Sequence, residues 1–186
     1  LKILLAQKGT EKREIHRFVR EAQICAQLQH PGIVAIHEII LDDSFRPYFT
    51  MREVHGSTLH LIFKNLHFCS TEKQWGVTDD GWTFKKTLHI MIKICEALSY
   101  AHSKGVIHRD IKPGNIMVGD FGEVSVVDWG LAISTKANDI TVAQHLKEDV
   151  LDEIVGTPKF MAPEQADGRN YEIDARSEVY SIGSML

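Results

Sequence analysis

The sequence is poor in the features that mark a disulfide scaffold, a membrane span or a nucleic-acid-binding domain. It has three cysteines, Cys25, Cys69 and Cys95, whose spacing matches neither a metal site nor a redox motif, so we expect buried free thiols in a reducing compartment. Its apolar runs are too short to cross a bilayer, and no signal peptide is recognisable. With a net charge of −4, it also lacks the basic surface that argues for nucleic acid as a partner.

The remaining composition is that of a globular protein. The chain has 186 residues, of which 44% are hydrophobic and 25% are charged. That length is sufficient for one medium domain or for part of a larger one. The sequence starts at Leu1 rather than at a methionine and stops at Leu186 inside an apolar helical pattern. We therefore expect a fragment of a longer protein.

Two carboxylates and an amide lie on short turns in the second half of the chain. Asp110 and Asn115 are five positions apart, and Asp128 follows Asp110 by eighteen positions. The β-rich runs at 116–118 and 124–127 flank a Gly-Asp-Phe-Gly turn, a pattern that predicts a β-hairpin. Such a hairpin would bring Asn115 and Asp128 together at its open end.

These side chains suit phosphoryl-transfer chemistry. An amide oxygen from Asn115 and a carboxylate from Asp128 are ligands for a hard cation such as Mg²⁺ on a nucleotide phosphate. Asp110 would orient a hydroxyl or accept its proton, and Lys112 would neutralise a transferring phosphoryl group. The alternative is that the Asp and Asn residues merely form turns. Their combination with Lys112 at these spacings favours the chemical interpretation.

The same stretch resembles a known family. Residues 108–115 read His-Arg-Asp-Ile-Lys-Pro-Gly-Asn, which is similar to the catalytic loop of protein kinases, and Asp-Trp-Gly at 128–130 is similar to their Asp-Phe-Gly metal motif. Residues 156–164 end in Ala-Pro-Glu and resemble the substrate-docking end of a kinase activation segment. Thr157 together with Lys112 is typical of Ser/Thr-directed members. The motifs are most similar to those of bacterial members of the eukaryotic-type Ser/Thr kinases.

The resemblance implies a role for each polar residue in the site. Asp110 would orient the accepting hydroxyl, Lys112 would stabilise the transferred group, and Asn115 and Asp128 would hold Mg²⁺. The cofactors implied are ATP and Mg²⁺, and the partner is a protein substrate with a Ser or Thr hydroxyl.

Two charged residues near the start of the chain are candidates for an ion pair at the nucleotide phosphates. Lys2 lies in the end of a predicted strand, and Glu21 lies in a helix predicted over 11–29. Taken alone, each is a solvated charged side chain. The resemblance implies instead that Lys2 contacts the α- and β-phosphates and pairs with Glu21.

The resemblance also implies an adenine pocket. Met51 would sit at its back and Met117 would form its floor, while the backbone around Glu53 and Val54 would hydrogen-bond the base. Both methionines are equally compatible with ordinary core packing.

The resemblance implies an α+β, two-lobed protein-kinase-like fold. Residues 1–54 would form an incomplete, β-rich N-lobe, and residues 55–186 would form a truncated, helical C-lobe. The patterns predict strands at 33–40 and 47–54, a connection with at most a short helix over 64–82, and a helix from 174 onward. A further helix is predicted over 84–103, with an apolar face that comprises Leu88, Met91, Ile92, Cys95 and Leu98.

Two positions depart from the family pattern. Trp129 replaces the usual Phe, and we expect it to stack between His108 and Cys25. Glu178 replaces an Asp whose carboxylate usually holds the catalytic-loop backbone, and we expect the extra methylene to displace that acceptor. We also expect Glu164 to lack its usual arginine partner and to be a buried, unpaired carboxylate.

The implied function is ATP-dependent phosphorylation of protein Ser or Thr hydroxyls in bacterial signalling. The catalytic domain would be cytoplasmic, with any membrane anchor outside the fragment, and the full-length protein would form a homodimer through its N-lobe. One alternative is a pseudokinase that binds partners without catalysis. Another is a small-molecule phosphotransferase of the antibiotic- or choline-kinase type, which usually lacks the lysine found here at 112 and the Ala-Pro-Glu segment.

The resemblance also bears on control. In the family, the arginine at the position of Arg109 usually binds a phosphorylated residue of the activation segment. The stretch before the docking end is acidic, with Glu148, Asp149, Asp152 and Glu153. One hypothesis is that one of these carboxylates partly substitutes for the phosphate. The alternative is a solvated acidic loop.

Overall fold

The computed structural model describes residues 2–3, 12–41, 47–71, 74–135 and 154–186. Its helices are α1 (Lys12–Gln27), α2 (Leu59–Phe68), α3 (Phe84–Ser103), α4 (Pro163–Ala166) and α5 (Ala175–Gly183). Its strands are β1 (Lys2–Ile3), β2 (Ile36–Leu41), β3 (Pro47–Met51), β4 (Ser57–Thr58), β5 (Val106–Ile107), β6 (Ile116–Val118), β7 (Val124–Val126) and β8 (Ile133–Ser134). The mixture confirms the predicted α+β class, while the division into lobes at residue 54 stays a prediction.

Three small antiparallel sheets organise the strands. The orders are β1-β3-β2, β4-β6-β7 and β5-β8. The predicted hairpin is present, because β6 and β7 pair Ile116 with Val126 and Val118 with Val124. The predicted strand from residue 33 is wrong at its start, since Ile33 makes an isolated parallel bridge to Val126 and β2 begins three residues later.

The longest described helix, α3, has the predicted bounds, and its predicted apolar face is only partly correct. Thr83 caps α3 by accepting a hydrogen bond from the Lys86 N–H at 3.2 Å. The buried residues are Thr87, Ile90, Met91, Ile94, Ala97, Leu98 and Ala101. Leu88, Ile92 and Cys95 are instead exposed. The helix has two apolar stripes, and the stripe that contains Ala97 and Ala101 is the one that packs inward.

The predicted connection after residue 64 is also wrong at its start. Helix α2 begins at Leu59, where the Thr58 hydroxyl accepts a hydrogen bond from the Leu61 N–H at 3.3 Å. Its buried residues Leu59, Ile62 and Leu66 recur at spacings of three and four, which gives the helix one apolar face. The Thr58 cap and the start of the apolar spacing lie before residue 64, where the predicted connection begins.

Trp129 is the largest side chain of the central core. It is 1% exposed, and its indole N–H donates to the Val126 carbonyl at 3.2 Å. Its ring centroid lies 4.7 Å from that of His108, and the same hydrophobic cluster includes Cys25. All three cysteines are free thiols as expected, but only Cys25 is buried, whereas Cys69 and Cys95 are exposed and contradict the expected burial. Among the described residues, no helix is both long enough and apolar enough to cross a membrane.

Candidate active site

A compact hydrogen-bond network surrounds Asp110. Buried strand β5 leads into this loop, and a 3₁₀ turn at Pro113–Asn115 follows it. Lys112 Nζ donates to Asp110 Oδ2 at 2.7 Å and to Thr157 Oγ1 at 2.8 Å, while Thr157 Oγ1 donates to Asp110 Oδ1 at 2.7 Å. The structure therefore brings Asp110, Lys112 and the threonine of the docking end into one triangle.

Asn115 closes the network from the other side. Its side-chain N–H groups donate to the Asp110 carbonyl at 2.8 Å and to Asp110 Oδ2 at 3.0 Å. Both donor hydrogens of the amide are thereby used within the loop, which leaves its oxygen as the ligand atom. Because Asn115 is 6% exposed, its orientation is held by packing as well as by hydrogen bonds.

Glu178 of α5 holds the backbone of the loop, contrary to expectation. Its Oε1 accepts from the His108 N–H at 2.5 Å and from the Arg109 N–H at 3.0 Å. Its Oε2 lies 2.5 Å from His102 Nε2 at the end of α3. The extra methylene therefore does not displace the acceptor. It allows one carboxylate to reach the loop with one oxygen and a histidine with the other.

The hairpin places Asn115 and Asp128 next to each other. The Val127 N–H donates to the Asn115 carbonyl at 2.9 Å, so the residue before Asp128 is directly paired with Asn115. Asp128 has a φ of 62°, in the left-handed region that Asp tolerates better than most residues. A methyl group placed on Gly130 would lie 3.4 Å from Glu21 Oε2 and 3.6 Å from Asp128 Oδ1, so these two carboxylates flank the same glycine.

The donor set fits Mg²⁺ bound to phosphates. Asn115 and Asp128 offer hard oxygen ligands, and Mg²⁺ in such sites takes one or two protein ligands and completes its shell with phosphate and water. In the part of the chain that the structure describes, no group of three or more His, Cys, Asp or Glu side chains is placed to hold a metal.

The predicted phosphate-binding pair is only partly described. Lys2 lies in β1 opposite Phe49 of β3, but its side chain lies outside what the structure describes, so the pairing with Glu21 stays a prediction. Glu21 is 7% exposed on α1, which contradicts a solvated carboxylate.

The predicted adenine residues are spread over two elements. Met51 ends β3 and packs against the small cluster that contains Phe49, while Met117 lies in β6 opposite Thr58 of β4. Both positions are compatible with core packing. Glu53 and Val54 follow β3, and the Glu53 side chain is 80% exposed.

Glu164 and Arg109 are two further residues for which the resemblance implies a partner. Glu164 is half-buried and accepts a hydrogen bond from the Ser177 hydroxyl, so the expectation of an unpaired carboxylate is wrong. Arg109 is 4% exposed, and its Nε donates to the Leu131 carbonyl at 2.6 Å. The four acidic residues that the sequence suggests as phosphate substitutes, Glu148, Asp149, Asp152 and Glu153, lie outside the described residues.

The sequence analysis did not single out two side chains that support the catalytic loop, one directly and one through Glu178. His102 contacts Glu178, and Gln165, directly after Ala-Pro-Glu, donates to the Arg109 carbonyl at 2.6 Å. Neither carries a local signal, because a helical histidine and a glutamine after a turn have many ordinary roles. Only the fold shows what they contact.

Comparison with known proteins decides the family. The family model described as "Protein kinase domain" matches residues 1–186. The chain belongs to the protein kinase family. This confirms the resemblance that the catalytic-loop and Asp-Trp-Gly motifs suggested.

Two similar kinases of chlamydiae show the level of identity. The chain is 39% identical over 184 residues to "Serine/threonine-protein kinase PknD" of Chlamydia trachomatis serovar L2b (strain UCH-1/proctitis), a match that covers 91% of this chain and 19% of that protein. It is 36% identical over 183 residues to the protein of the same name in Protochlamydia amoebophila (strain UWE25), covering 91% and 18%. The chain therefore spans about a fifth of the length of these relatives.

Proposed function

We propose that this chain carries the catalytic machinery of a Ser/Thr protein kinase that transfers the γ-phosphoryl group of ATP to a protein hydroxyl, in bacterial signalling. The observation that carries the proposal is the triangle of Asp110, Lys112 and Thr157. A carboxylate accepts a hydrogen bond from a threonine hydroxyl at 2.7 Å, and a lysine ammonium lies within 2.8 Å of both groups.

Asp110 and Lys112 have distinct tasks. Asp110 accepts a hydrogen bond from the hydroxyl that will attack, and so orients the oxygen and takes its proton. Lys112 places a positive charge where the transferred group develops negative charge. The side chain of Lys112 is 28% exposed and that of Asp110 is 10% exposed, so the pair is partly shielded from water and its electrostatic effect is larger than in bulk solvent.

Asn115, Asp128 and Glu21 prepare the nucleotide side of the site. Bound Mg²⁺ would neutralise phosphate charge. Asn115 and Asp128 would hold the cation through their side-chain oxygens, and the backbone pairing of Asn115 with Val127 supports this by keeping the two residues close. Glu21 lies beside the same glycine as Asp128, which supports a role in the site, and it would orient Lys2 there.

The test is phosphoryl transfer by the purified full-length protein with Mg-ATP and a generic basic protein substrate. We expect phosphoserine or phosphothreonine in the substrate, identified by mass spectrometry. Asp110→Asn and Asp128→Asn should each remove most transfer. The matched control is Asp120→Asn, which makes the same change at an exposed aspartate in the β6–β7 turn and should leave the rate unchanged.

The outcomes separate the competing functions. Tight binding of Mg-ATP without any transfer by the wild-type protein would indicate a pseudokinase. Phosphorylation of an aminoglycoside or choline, with no phosphorylated protein, would indicate a small-molecule phosphotransferase. Equal rates in the wild type and Asp110→Asn would refute the assignment of Asp110.

A further inference from the structure

Gln165 connects the catalytic loop to the docking end with a single amide group. The side chain belongs to α4 and is 2% exposed. Its Nε2 donates to the Arg109 carbonyl at 2.6 Å and to the Val155 carbonyl at 2.7 Å. An amide nitrogen has two hydrogens, and here each has a backbone acceptor from a different segment.

The first acceptor belongs to the peptide bond that leads into Asp110. Gln165 holds the carbonyl of this Arg109–Asp110 peptide, while the Asp110 N–H of the same peptide donates to His108 Nδ1 at 3.2 Å. The peptide plane is therefore fixed at both of its polar atoms. Arg109 has a φ of 68°, a conformation that a residue with a side chain keeps only when its surroundings hold it.

The second acceptor belongs to the segment that presents Thr157. Val155 lies two residues before Thr157, whose hydroxyl donates to Asp110 Oδ1. A methyl group on the intervening Gly156 would lie 2.7 Å from Gln165 Nε2 and 2.9 Å from the Arg109 carbonyl oxygen. The glycine, with a φ of 124°, is therefore what allows the amide to approach both backbones.

We propose that Gln165 is a positioning residue for phosphoryl transfer. It does not touch the reacting atoms. It holds the peptide plane before Asp110 and the backbone segment before Thr157 in a fixed relative position. The hydroxyl of a docked substrate then meets the Asp110 carboxylate. This inference rests on the proposed kinase activity.

A purely structural role makes a different prediction from a positioning role. If Gln165 only satisfies two buried carbonyls, its loss lowers the folded fraction and leaves the properties of each folded molecule unchanged. If it sets the register, folded molecules transfer phosphate more slowly and bind protein substrate less well, while their affinity for ATP is unchanged. The division between kcat and KM therefore separates the two roles.

The experiment compares Gln165→Met with wild type in the full-length protein. Methionine keeps the length and removes both donors. We expect kcat to fall about tenfold per folded molecule, because misplacement by a fraction of an ångström is costly in such sites. The KM for the protein substrate should rise, and the KM for ATP should stay within about twofold, since the Gln165 amide hydrogen-bonds to neither Asn115 nor Asp128.

Two further variants keep the result interpretable. Gln74→Met makes the same substitution at an exposed position outside the site and should behave as wild type. Gln165→Asn retains the amide but is one methylene shorter, so it should reach one carbonyl only and give an intermediate kcat. If Gln165→Met does not fold, the kcat of folded Gln165→Asn decides alone.

Unchanged kcat and substrate KM per folded molecule, in Gln165→Met or in the asparagine variant that replaces it, would overturn the inference and leave the proposed function standing. A wild-type protein that transfers no phosphate overturns the proposed function itself, and that failure is visible before any variant is made.

Discussion

Replacing Glu178 by glutamine should loosen the catalytic loop while leaving the catalytic side chains in place. The carboxylate is 2% exposed and takes part in three short contacts, to the His108 N–H, the Arg109 N–H and His102 Nε2. Glu178→Gln keeps the shape of the side chain, removes its charge and replaces one acceptor oxygen by a donor. One of the two sides, the loop amides or His102, then faces an N–H₂ group in place of a carboxylate oxygen.

The magnitude follows from the change in hydrogen-bond type. A hydrogen bond to a charged group contributes about 1.5–3 kcal/mol, and a neutral one contributes about 0.5–1.5 kcal/mol. Three such contacts weakened by about 1 kcal/mol each give a loss of about 3 kcal/mol. This loss is a large part of the roughly 5–15 kcal/mol by which a domain is stable. Glu178→Ala would cost more, because it would also leave two buried N–H groups without acceptors, and is therefore the less informative change.

Hydrogen exchange at the loop measures this loss locally, in the full-length protein and without a two-state assumption. A destabilisation of about 3 kcal/mol corresponds to exchange about a hundredfold faster at the His108 and Arg109 amides, if the loop opens locally. Glu96→Gln, an exposed glutamate on α3, is the matched control and should not change the rate. Wild-type exchange at both amides in Glu178→Gln would refute the argument that this carboxylate holds the loop.

Three other changes have defined outcomes. Asp110→Asn should lower kcat by about 10²–10⁴-fold with nearly unchanged ATP affinity, measured by steady-state phosphorylation and nucleotide titration. Trp129→Ala should lower the free energy of unfolding by about 3–5 kcal/mol, measured by denaturant titration, because the indole is buried and hydrogen-bonded. Asp174→Ala should cost about 1 kcal/mol of stability, seen as a lower Tm, because its side chain caps α5. The hydrogen bond from Arg176 lowers the pKa of Asp174, so its stabilising contribution is present above the unfolded-state pKa and is lost as the pH falls through the lower folded-state pKa. The pH dependence of Tm should therefore be shallower in acid for Asp174→Ala than for wild type.

The features that the sequence predicted correctly have local causes. Helix α3 has its predicted bounds because Thr83 supplies the N-cap and the chain turns at Gly105, which has a φ of 75°. The β6–β7 hairpin has its predicted place because Gly119 and Gly122 form a tight turn between two β-branched runs, with the Gly122 N–H donating to the Gly119 carbonyl at 3.0 Å. Caps and turns act within a few residues, so a linear pattern contains them.

The features that the sequence did not predict depend on tertiary packing. Helix α3 carries two apolar stripes, and periodicity alone does not say which one meets the core. The stripe with Leu88 and Ile92 and the stripe with Ile90 and Ile94 are both apolar, yet only the second is buried. The deciding factor is the shape of the elements that pack against the helix, which no window of local sequence contains.

The same reasoning explains why the catalytic residues were predictable and their support was not. The loop motif names Asp110, but the conformation of its neighbour Arg109 is imposed by distant groups. The Arg109 N–H is held by Glu178, 69 positions away, and its carbonyl is held by Gln165, 56 positions away. A glutamate in place of the family's aspartate looked disruptive in the sequence because only its length was visible. In the fold, His102 lies 2.5 Å from the second carboxylate oxygen, so the longer side chain gains a contact rather than losing its place. Chemistry at this site is therefore specified by a short motif, while its geometry is specified by residues that approach it only after the chain has folded.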